Sequence, residues 1–401
     1  MANRVFLHVA TPKSGTTYLQ RVLWRNAEVL RQGNVLLPGT FKRHYTAAKS
    51  VTDRKQMRQV NIKVTGAWPR LAEQINSWPD DALVSHELFA PATVEQAETA
   101  KAALNAAETH LILTARALHK QLPAAWQQGV RGGNTLTFDR YLDRIRTGEG
   151  TAAKWFWSVQ SLADIAQRWG VGIPAEHIHI VTVPPDSSNP GLLWQRYASV
   201  LSIDPASCDI DIPKKNVSVG AVEAELMRRV HNRGDSRFRD DRRYSPWTRR
   251  LLVKGVLSER RGAPFGPPDD AREWLSERTA AMTRAIEAGG FSVVGDLREL
   301  DWQPPPVETR QISDVTEEEI AELCAWTIGR LQEELVQRHP AAALPAVGPD
   351  DGIDGILELL EHIRAAEEGV PPRPAPHAPR ATRASSMTER LRRAVSVARI
   401  L

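Results

Sequence analysis

The chain has 401 residues, 42% of them hydrophobic and 25% charged, which is material for one large core and a second small module and excludes a disordered or fibrous protein. The net charge of +4 is unevenly placed: residues 371–401 hold seven Arg against one acid, Glu389, so the rest of the chain carries −2 and gives no reason to expect a nucleic-acid partner. Cys208 and Cys324 stand far apart and outside any metal-ligand spacing, so both are expected to be buried thiols, with no disulfide framework and no zinc site made from them.

At the N-terminus, MANRVFLHVA enters an apolar strand pattern at once, with no charged leader and cleavage site. No run approaches the roughly 18 apolar residues of a membrane span, so the expected location is the cytoplasm. RVFLHVA (Arg4 to Ala10) reads as a buried strand, and Thr16 to Leu30 as a helix with Leu19, Val22, Leu23, Ala27 and Leu30 on one face. NVLLPG, DALVSHELF, HLILTAR (His110 to Arg116) and HIHIVTVP (His177 to Pro184) supply further strands. Helical patterns at Thr93 to Ala107, Pro123 to Gln128 and Phe156 to Trp169 separate them. This alternation predicts an α/β fold with a central, mainly parallel sheet covered on both faces.

Beyond Leu193 the chain turns largely helical. A helix is expected from Ala271 to about Ala288, stopped at Gly289-Gly290, with a short strand or packed extension at Phe291 to Leu297. Prolines 304 to 306 mark a domain edge. Helices at Thr316 to Arg338 and Gly352 to Ala366 then form a helical C-terminal extension. The expected organisation is an α/β domain over 1–303, the extension over 304–368, a Pro/Ala-rich linker over 369–385 and a basic amphipathic tail helix over 386–401. That tail is a candidate for weak contact with a membrane surface or a protein.

Parallel sheets bind ligands beyond the carboxyl ends of their strands. Those ends deliver Lys13 to Thr17, Ser85 to Glu87, and Arg116 to one side. VATPKSGTTYLQ puts a tight Gly-containing loop between a strand and a helix N-terminus, an arrangement that cradles an anion with backbone N–H groups and the helix dipole. Lys13 adds a full charge, and Ser14, Thr16 and Thr17 add hydroxyl donors around Gly15. The Walker A pattern differs, because its Lys follows the second Gly, and no strand end offers a clear Walker B carboxylate for magnesium.

TPKSGTTYLQ resembles the 5′-phosphosulfate loop of sulfotransferases that use 3′-phosphoadenosine-5′-phosphosulfate, commonly written PKSGTTW or PKxGTT, with Tyr18 where many members carry Trp. The resemblance is carried by Arg4 to Gln20 and extends to about Gln128. It is thin from Pro184 to Leu300 and stops by Asp301. It implies a P-loop-like, three-layer fold and sulfonate transfer with no required metal. Pro12, Lys13, Ser14, Gly15, Thr16 and Thr17 would then hold the phosphosulfate, and Arg116 the 3′-phosphate. The family's second 3′-phosphate ligand, a Ser about eight residues on, is replaced near Ala124; Gln121, His119 and Lys120 are the candidates to substitute. The family's base is a strand-end His, which selects His86 here, with Glu87 as the competitor because some branches use Glu. If the strand persists, the two side chains point to opposite sides. Weaker matches place Lys214, Lys215 and Asn216 in the cleft and Arg260 and Arg261 on the 3′-phosphate, although the fuller RKGxxGDWK pattern is absent.

The function implied is in-line transfer of a sulfonate to a hydroxyl or amine of a carbohydrate, lipid or small metabolite. Lys13 would neutralise the leaving phosphate, and a base, His86 or Glu87, would take the acceptor's proton. Among the twelve Trp, residues 126, 155, 157 and 194 are either stacking walls for such an acceptor or core. Two alternatives follow from the same residues: a non-catalytic binding or adaptor protein on this fold, and a nucleotide or metabolite kinase with an atypical phosphate loop.

Overall fold

The computed structural model describes residues 1–52, 66–185, 189–212, 219–234, 238, 246–260, 262–304 and 309–373. The chain divides into two compact units, the first made of 1–129, 136–218 and 263–314, the second of 130–135, 219–262 and 315–401. The boundary expected at 303/304 therefore differs from the observed one, because the second unit takes up 219–262 from the middle of the chain as well as the C-terminal helices.

In the first unit six strands, β1 (Ala2–His8), β2 (Val35–Leu36), β3 (Asp81–Ser85), β4 (Ala106–Ala115), β5 (Ile178–Thr182) and β6 (Ser292–Val294), form one sheet ordered β2-β3-β1-β4-β5-β6. Every neighbouring pair is parallel. Each run read as a strand is one, including the short return at Phe291 to Leu297. The apolar run of β1 is buried on both sides, as a central parallel strand must be.

The alternation of the strands sorts residues between two layers. Phe6, Leu83, Ile112 and Val181 pack on Leu19, Val22 and Leu23 of α1 (Thr16–Arg25) and, on the same face, Trp194 and Tyr197. Val5, Leu7, Val84, Leu111, Leu113 and Ile180 face the opposite layer, with Leu71, Ala97, Ile165, Trp169 and Ile286. Each fully buried Leu or Val of α1 contributes about 1.5–3 kcal/mol, enough to pin the helix N-terminus beside the sheet. The architecture is thus the expected three-layer α/β fold.

The long helix expected over Thr16 to Leu30 breaks at Asn26, and α2 (Ala27–Gln32) follows. Asn26 Nδ2 donates to the Val22 and Asp209 carbonyls, both at 2.8 Å, so its amide closes α1 and ties it to a distant segment. Next come α3 (Phe41–Val51), α4 (Ala67–Asn76) and α5 (Val94–Ala102), of which only the last was expected, and it stops early because β4 begins at Ala106. The helix expected over Pro123 to Gln128 is the middle of α6 (Leu118–Arg131); α7 (Phe138–Thr147) follows. The Phe156 to Trp169 pattern resolves into α8 (Gly150–Gln160) and α9 (Leu162–Gly170), divided at Ser161. After α10 (Pro190–Val200), α12 (Ala271–Ala288) has the bounds read from its Asp and Gly signals.

The second unit is helical: α11 (Ala221–Arg233), a turn-rich helical segment Pro246–Val256, α13 (Glu317–Arg338) and α14 (Gly352–Glu368). Thr316 caps α13 through a reciprocal capping box with Glu319. Its interior contains a paired charge, Arg364 Nη2 to Glu361 Oε1 at 2.6 Å, with both side chains at most 3% exposed. Cys208 and Cys324 are buried free thiols, the latter pushed up to about 11 by burial. Among the described residues no helix is long and apolar enough to cross a membrane.

Candidate active site

The strand order makes β1 the hinge of the sheet. The chain leaves β1 toward β2 on one side and reaches β4 on the other, so the connections after β1 and β4 run in opposite directions. That topological switch point opens a crevice at the carboxyl ends of β1 and β4. The loop 9–15 and Arg116 both emerge there.

In the loop, Lys13 has φ 69° and Gly15 φ 81°, two left-handed residues that fold the chain back on itself before α1 begins. Gly15 is required for space as well as conformation, since a Cβ there would lie 2.5 Å from Leu193 Cδ2. No side chain caps α1, and its first turn holds no acid. The Tyr18 N–H bonds the Gly15 carbonyl at 3.0 Å, and the leading N–H groups of a helix ahead of such a bond have no partner within it, which puts the positive end of the dipole at the loop.

The loop is braced from beneath by residues that hold no obvious chemistry. Thr11 Oγ1 donates to the Thr114 carbonyl at 2.9 Å. Ser14 Oγ donates to the Thr11 carbonyl and meets Thr114 Oγ1, both at 2.5 Å. Gln121 Nε2 donates to Thr11 Oγ1 at 3.0 Å and Gln160 Nε2 to the Pro12 carbonyl at 3.0 Å. The expectation that the Ser14 hydroxyl faces the ligand is corrected here: the side chain is fully buried and turned into the β1/β4 seam. Thr16 is also buried, whereas Thr17 is exposed. Gln121, one of the residues expected on a phosphate, lies under the loop and is 2% exposed.

Across the crevice Arg116 Nη1 donates to the Lys13 carbonyl at 3.0 Å. Its guanidinium is held below its ordinary range by burial alone, with no carboxylate contributing among the described residues. His119, one turn further on, is pushed down to about 4 by burial first and then by Lys120 and Arg116. Its ring lies 5.0 Å from that of Trp302, and Lys120 Nζ donates to the Pro185 carbonyl at 3.0 Å. Arg116, His119 and Lys120 therefore share one neighbourhood at the start of α6, with the His119 ring neutral near pH 7.

At the end of β3, Ser85 is a hub. Its N–H donates to His44 Nδ1 at 3.2 Å, and its hydroxyl bonds His8 Nδ1 at 2.8 Å. His44 Nε2 donates to the Pro38 carbonyl at 2.8 Å, which fixes that ring's tautomer. His86 and Glu87 follow. The strand stops at Ser85 and a short turn, Glu87–Phe89, starts at once, so the two side chains do not take opposite sides: His86 Nδ1 lies 3.6 Å from Glu87 Oε2.

That turn separates the two candidate bases. His86 Nδ1 accepts the Leu88 N–H at 3.1 Å, so a neutral ring carries its proton on Nε2. The ring is 4% exposed, flanked by Phe41 and Tyr45 at 6.0 and 5.5 Å, and its pKa is lowered by burial, with Glu87 opposing. The Glu87 side chain is 29% exposed, and its Oε2 accepts from Gln20 Nε2 of α1 at 3.3 Å. Gln20 stands one helical turn, about 5 Å, beyond Thr16. Glu87 is therefore tied to α1, the helix whose N-terminus follows the loop 9–15.

The remaining predicted residues fall elsewhere. Arg260 belongs to the second unit, where its Nε lies 3.7 Å from Glu223 Oε1 and its guanidinium covers the Trp326 ring at 5.5 Å. Arg261, Lys214, Lys215 and Asn216 lie outside the described residues, as do the tail 386–401 and most of the linker. Trp126 and Trp194 are core, Trp157 donates to the Ile145 carbonyl at 2.9 Å, and Trp155 is exposed. Sequence reading missed Thr11, Gln20, Thr114 and Gln160. Their one legible signal was place: Thr114 lies two residues before Arg116 on the same strand.

No family model and no curated protein matches this chain. Two solved structures do. A sulfotransferase from Alicyclobacillus acidocaldarius is 16% identical, with 53% of this chain and 87% of that chain covered and a TM-score of 0.36. The sulfotransferase domain from the curacin biosynthetic pathway is 12% identical, with 54% and 81% covered and a TM-score of 0.30.

Proposed function

We propose that the protein is a sulfotransferase that moves a sulfonate from 3′-phosphoadenosine-5′-phosphosulfate to the hydroxyl of a small-molecule, carbohydrate or lipid acceptor. The observation that carries this reading is the pairing across the β1/β4 switch point: a left-handed Lys13–Gly15 loop at a helix N-terminus, bonded to Arg116 in a neighbourhood shared with His119 and Lys120. One anion site suits a 5′-phosphosulfate, the other a 3′-phosphate, and a donor carrying both would bridge them.

In this reading the loop N–H groups, Thr17 and Lys13 hold the sulfonate and stabilise charge as it gathers on the departing phosphate oxygen. Arg116, with His119 and Lys120, holds the 3′-phosphate. Glu87, rather than His86, takes the proton: as the acceptor oxygen bonds to sulfur and the bond from sulfur to the bridging oxygen breaks, the hydroxyl proton passes to its carboxylate. His86, with Nδ1 committed to Leu88, positions the turn that presents Glu87.

Calorimetric titration with 3′-phosphoadenosine-5′-phosphate, beside 5′-AMP and magnesium-ATP, tests the donor assignment. Binding that requires the 3′-phosphate and weakens in Lys13→Ala is expected. Preference for magnesium-ATP would favour the kinase reading, and absence of binding would remove the donor site altogether.

A further inference from the structure

We propose a second site, independent of the transfer chemistry: Glu108, His110 and His177 bind a divalent transition-metal ion of the zinc class, with His179 as the positioning partner of His110. The ligand atoms of the three residues already lie within 4.8 Å of one another. They meet because β4 and the turn entering β5 run side by side, with Ile112 in register with His179, which puts Glu108, His110 and His179 on one face near the amino-terminal edge of the sheet. At about 3.3 Å per residue the site is about 20 Å along β4 from Arg116, clear of the proposed donor site.

The donor set is two imidazoles and one carboxylate, the N/O combination of zinc-type ions rather than the all-oxygen shell of magnesium or calcium. His110 Nε2 faces Glu108 Oε2 at 3.1 Å, and His110 Nδ1 faces His179 Nε2 at 3.0 Å. A carboxylate only accepts, so without an ion His110 carries its proton on Nε2 and accepts from His179. With an ion on Nε2, the proton sits on His110 Nδ1 and is donated to His179 Nε2, while the His179 proton moves to Nδ1. Both rings change tautomer and no proton is lost. A ligating His whose second nitrogen donates to a fixed neighbour is the usual support for a metal site.

Two features of the cluster bear on closure. His110 and His177 are stacked, with centroids 4.1 Å apart and planes at 21°, and stacked rings aim their lone pairs in parallel. His177 must therefore turn out of the stack, which its half-buried place in the turn Ala175–His177 allows. The nearby guanidinium of Arg4 is committed to Asp81 at 2.6 Å, which offsets its repulsion of a cation. Glu108 is exposed, so an ion has a path from solvent and water can fill the fourth position.

The test uses the full chain without a polyhistidine tag, stripped with a chelator and titrated calorimetrically with zinc, cobalt and magnesium chlorides. One zinc per chain at this site, a cobalt absorption spectrum of N/O ligation, no magnesium binding and a higher melting temperature with zinc are expected. His177→Ala and Glu108→Gln should each weaken zinc binding by at least about tenfold, and His179→Phe by about 10–100-fold through loss of the supporting hydrogen bond. Because His177 lies outside the strands, its variant is expected to keep the circular dichroism of the parent. Absence of stoichiometric zinc binding, or affinity unchanged in His177→Ala, overturns the proposal.

Discussion

The neighbouring ends of β1 and β3 bring chemistry to the rim of one sheet by different means. After β1 the proposed donor would meet the backbone, since the side chains of Thr11 and Ser14 are spent holding that backbone in a left-handed path. At the end of β3 the backbone is anchored by the His44 ring, which accepts the Ser85 N–H, and by the His8 carbonyl, which accepts the His86 N–H, and side chains are what is presented. A backbone site tolerates few changes at its glycine and its braces, because the donors cannot move independently. A side-chain site depends on which neighbour is pinned and which is left exposed. His86 is buried and pinned by Leu88, whereas Glu87 is half-buried, held by Gln20 and still open to solvent.

The largest expected effect breaks the β3 side of this comparison. Glu87→Gln should lower sulfonate transfer by about 10²–10⁴-fold with donor affinity unchanged, the range for loss of a general base. His86→Gln should cost less than about tenfold in rate while lowering the melting temperature. A steady-state comparison that found the larger loss at His86 would return the base role to that residue.

On the β1 side, Lys13→Ala should cost about 10²–10³-fold in transfer rate, the scale of losing one preorganised charge-stabilising donor, together with donor affinity. Ser14→Ala should act differently. It removes a buried hydroxyl that pairs twice, so about 1–3 kcal/mol of stability in denaturant unfolding is expected, with a smaller fall in donor affinity than Lys13→Ala. A Ser14→Ala protein of full stability and lost donor binding would mean that the hydroxyl faces the ligand after all.

The smallest effect concerns the imidazoles behind β3. Burial pushes His8 down to about 3 and His44 to about 4, in each case with a lesser contribution from His86. Unfolded imidazoles, near 6.5, bind protons that the folded protein excludes, so stability is full above that value and declines as pH falls toward 4. Melting temperature should therefore drop between pH 6.5 and 5, above the range where ordinary carboxylates titrate. A flat profile over that window would show that these rings are protonated in the fold.

The parallel sheet was legible because buried parallel strands are short, continuous apolar runs, and each such run in this chain sits between loops. The tight loop before α1 was legible because its signal is local: Lys13, Gly15 and the start of α1 fall within a few residues. Arg116 could be placed from its strand end. The choice between His86 and Glu87 could not, since it depends on β3 ending at Ser85 and on a bond from Leu88 to His86. The helix α3 escaped because its buried residues are small or polar, such as Ala47, Ala48 and His44, whereas α4 (Trp68, Leu71, Ile75) and α7 (Phe138, Tyr141, Leu142, Ile145) carry an apolar face at helical spacing that was legible and was passed over.

The sequence by itself determined the alternation of strands and helices in the first unit and the placing of loop 9–15 and Arg116 at neighbouring strand ends, because periodicity and strand-end position are properties of short stretches. Tertiary structure alone decided that Ser14 and Gln121 serve the loop from beneath, that Gln20 holds Glu87, and that Glu108 and His110 of β4, His177 of the turn before β5 and His179 of β5 gather into one cluster. Those contacts join residues about 65 to 110 positions apart. Only the register of the sheet and the packing of α1 bring them within hydrogen-bond reach, and neither leaves a pattern in any one segment.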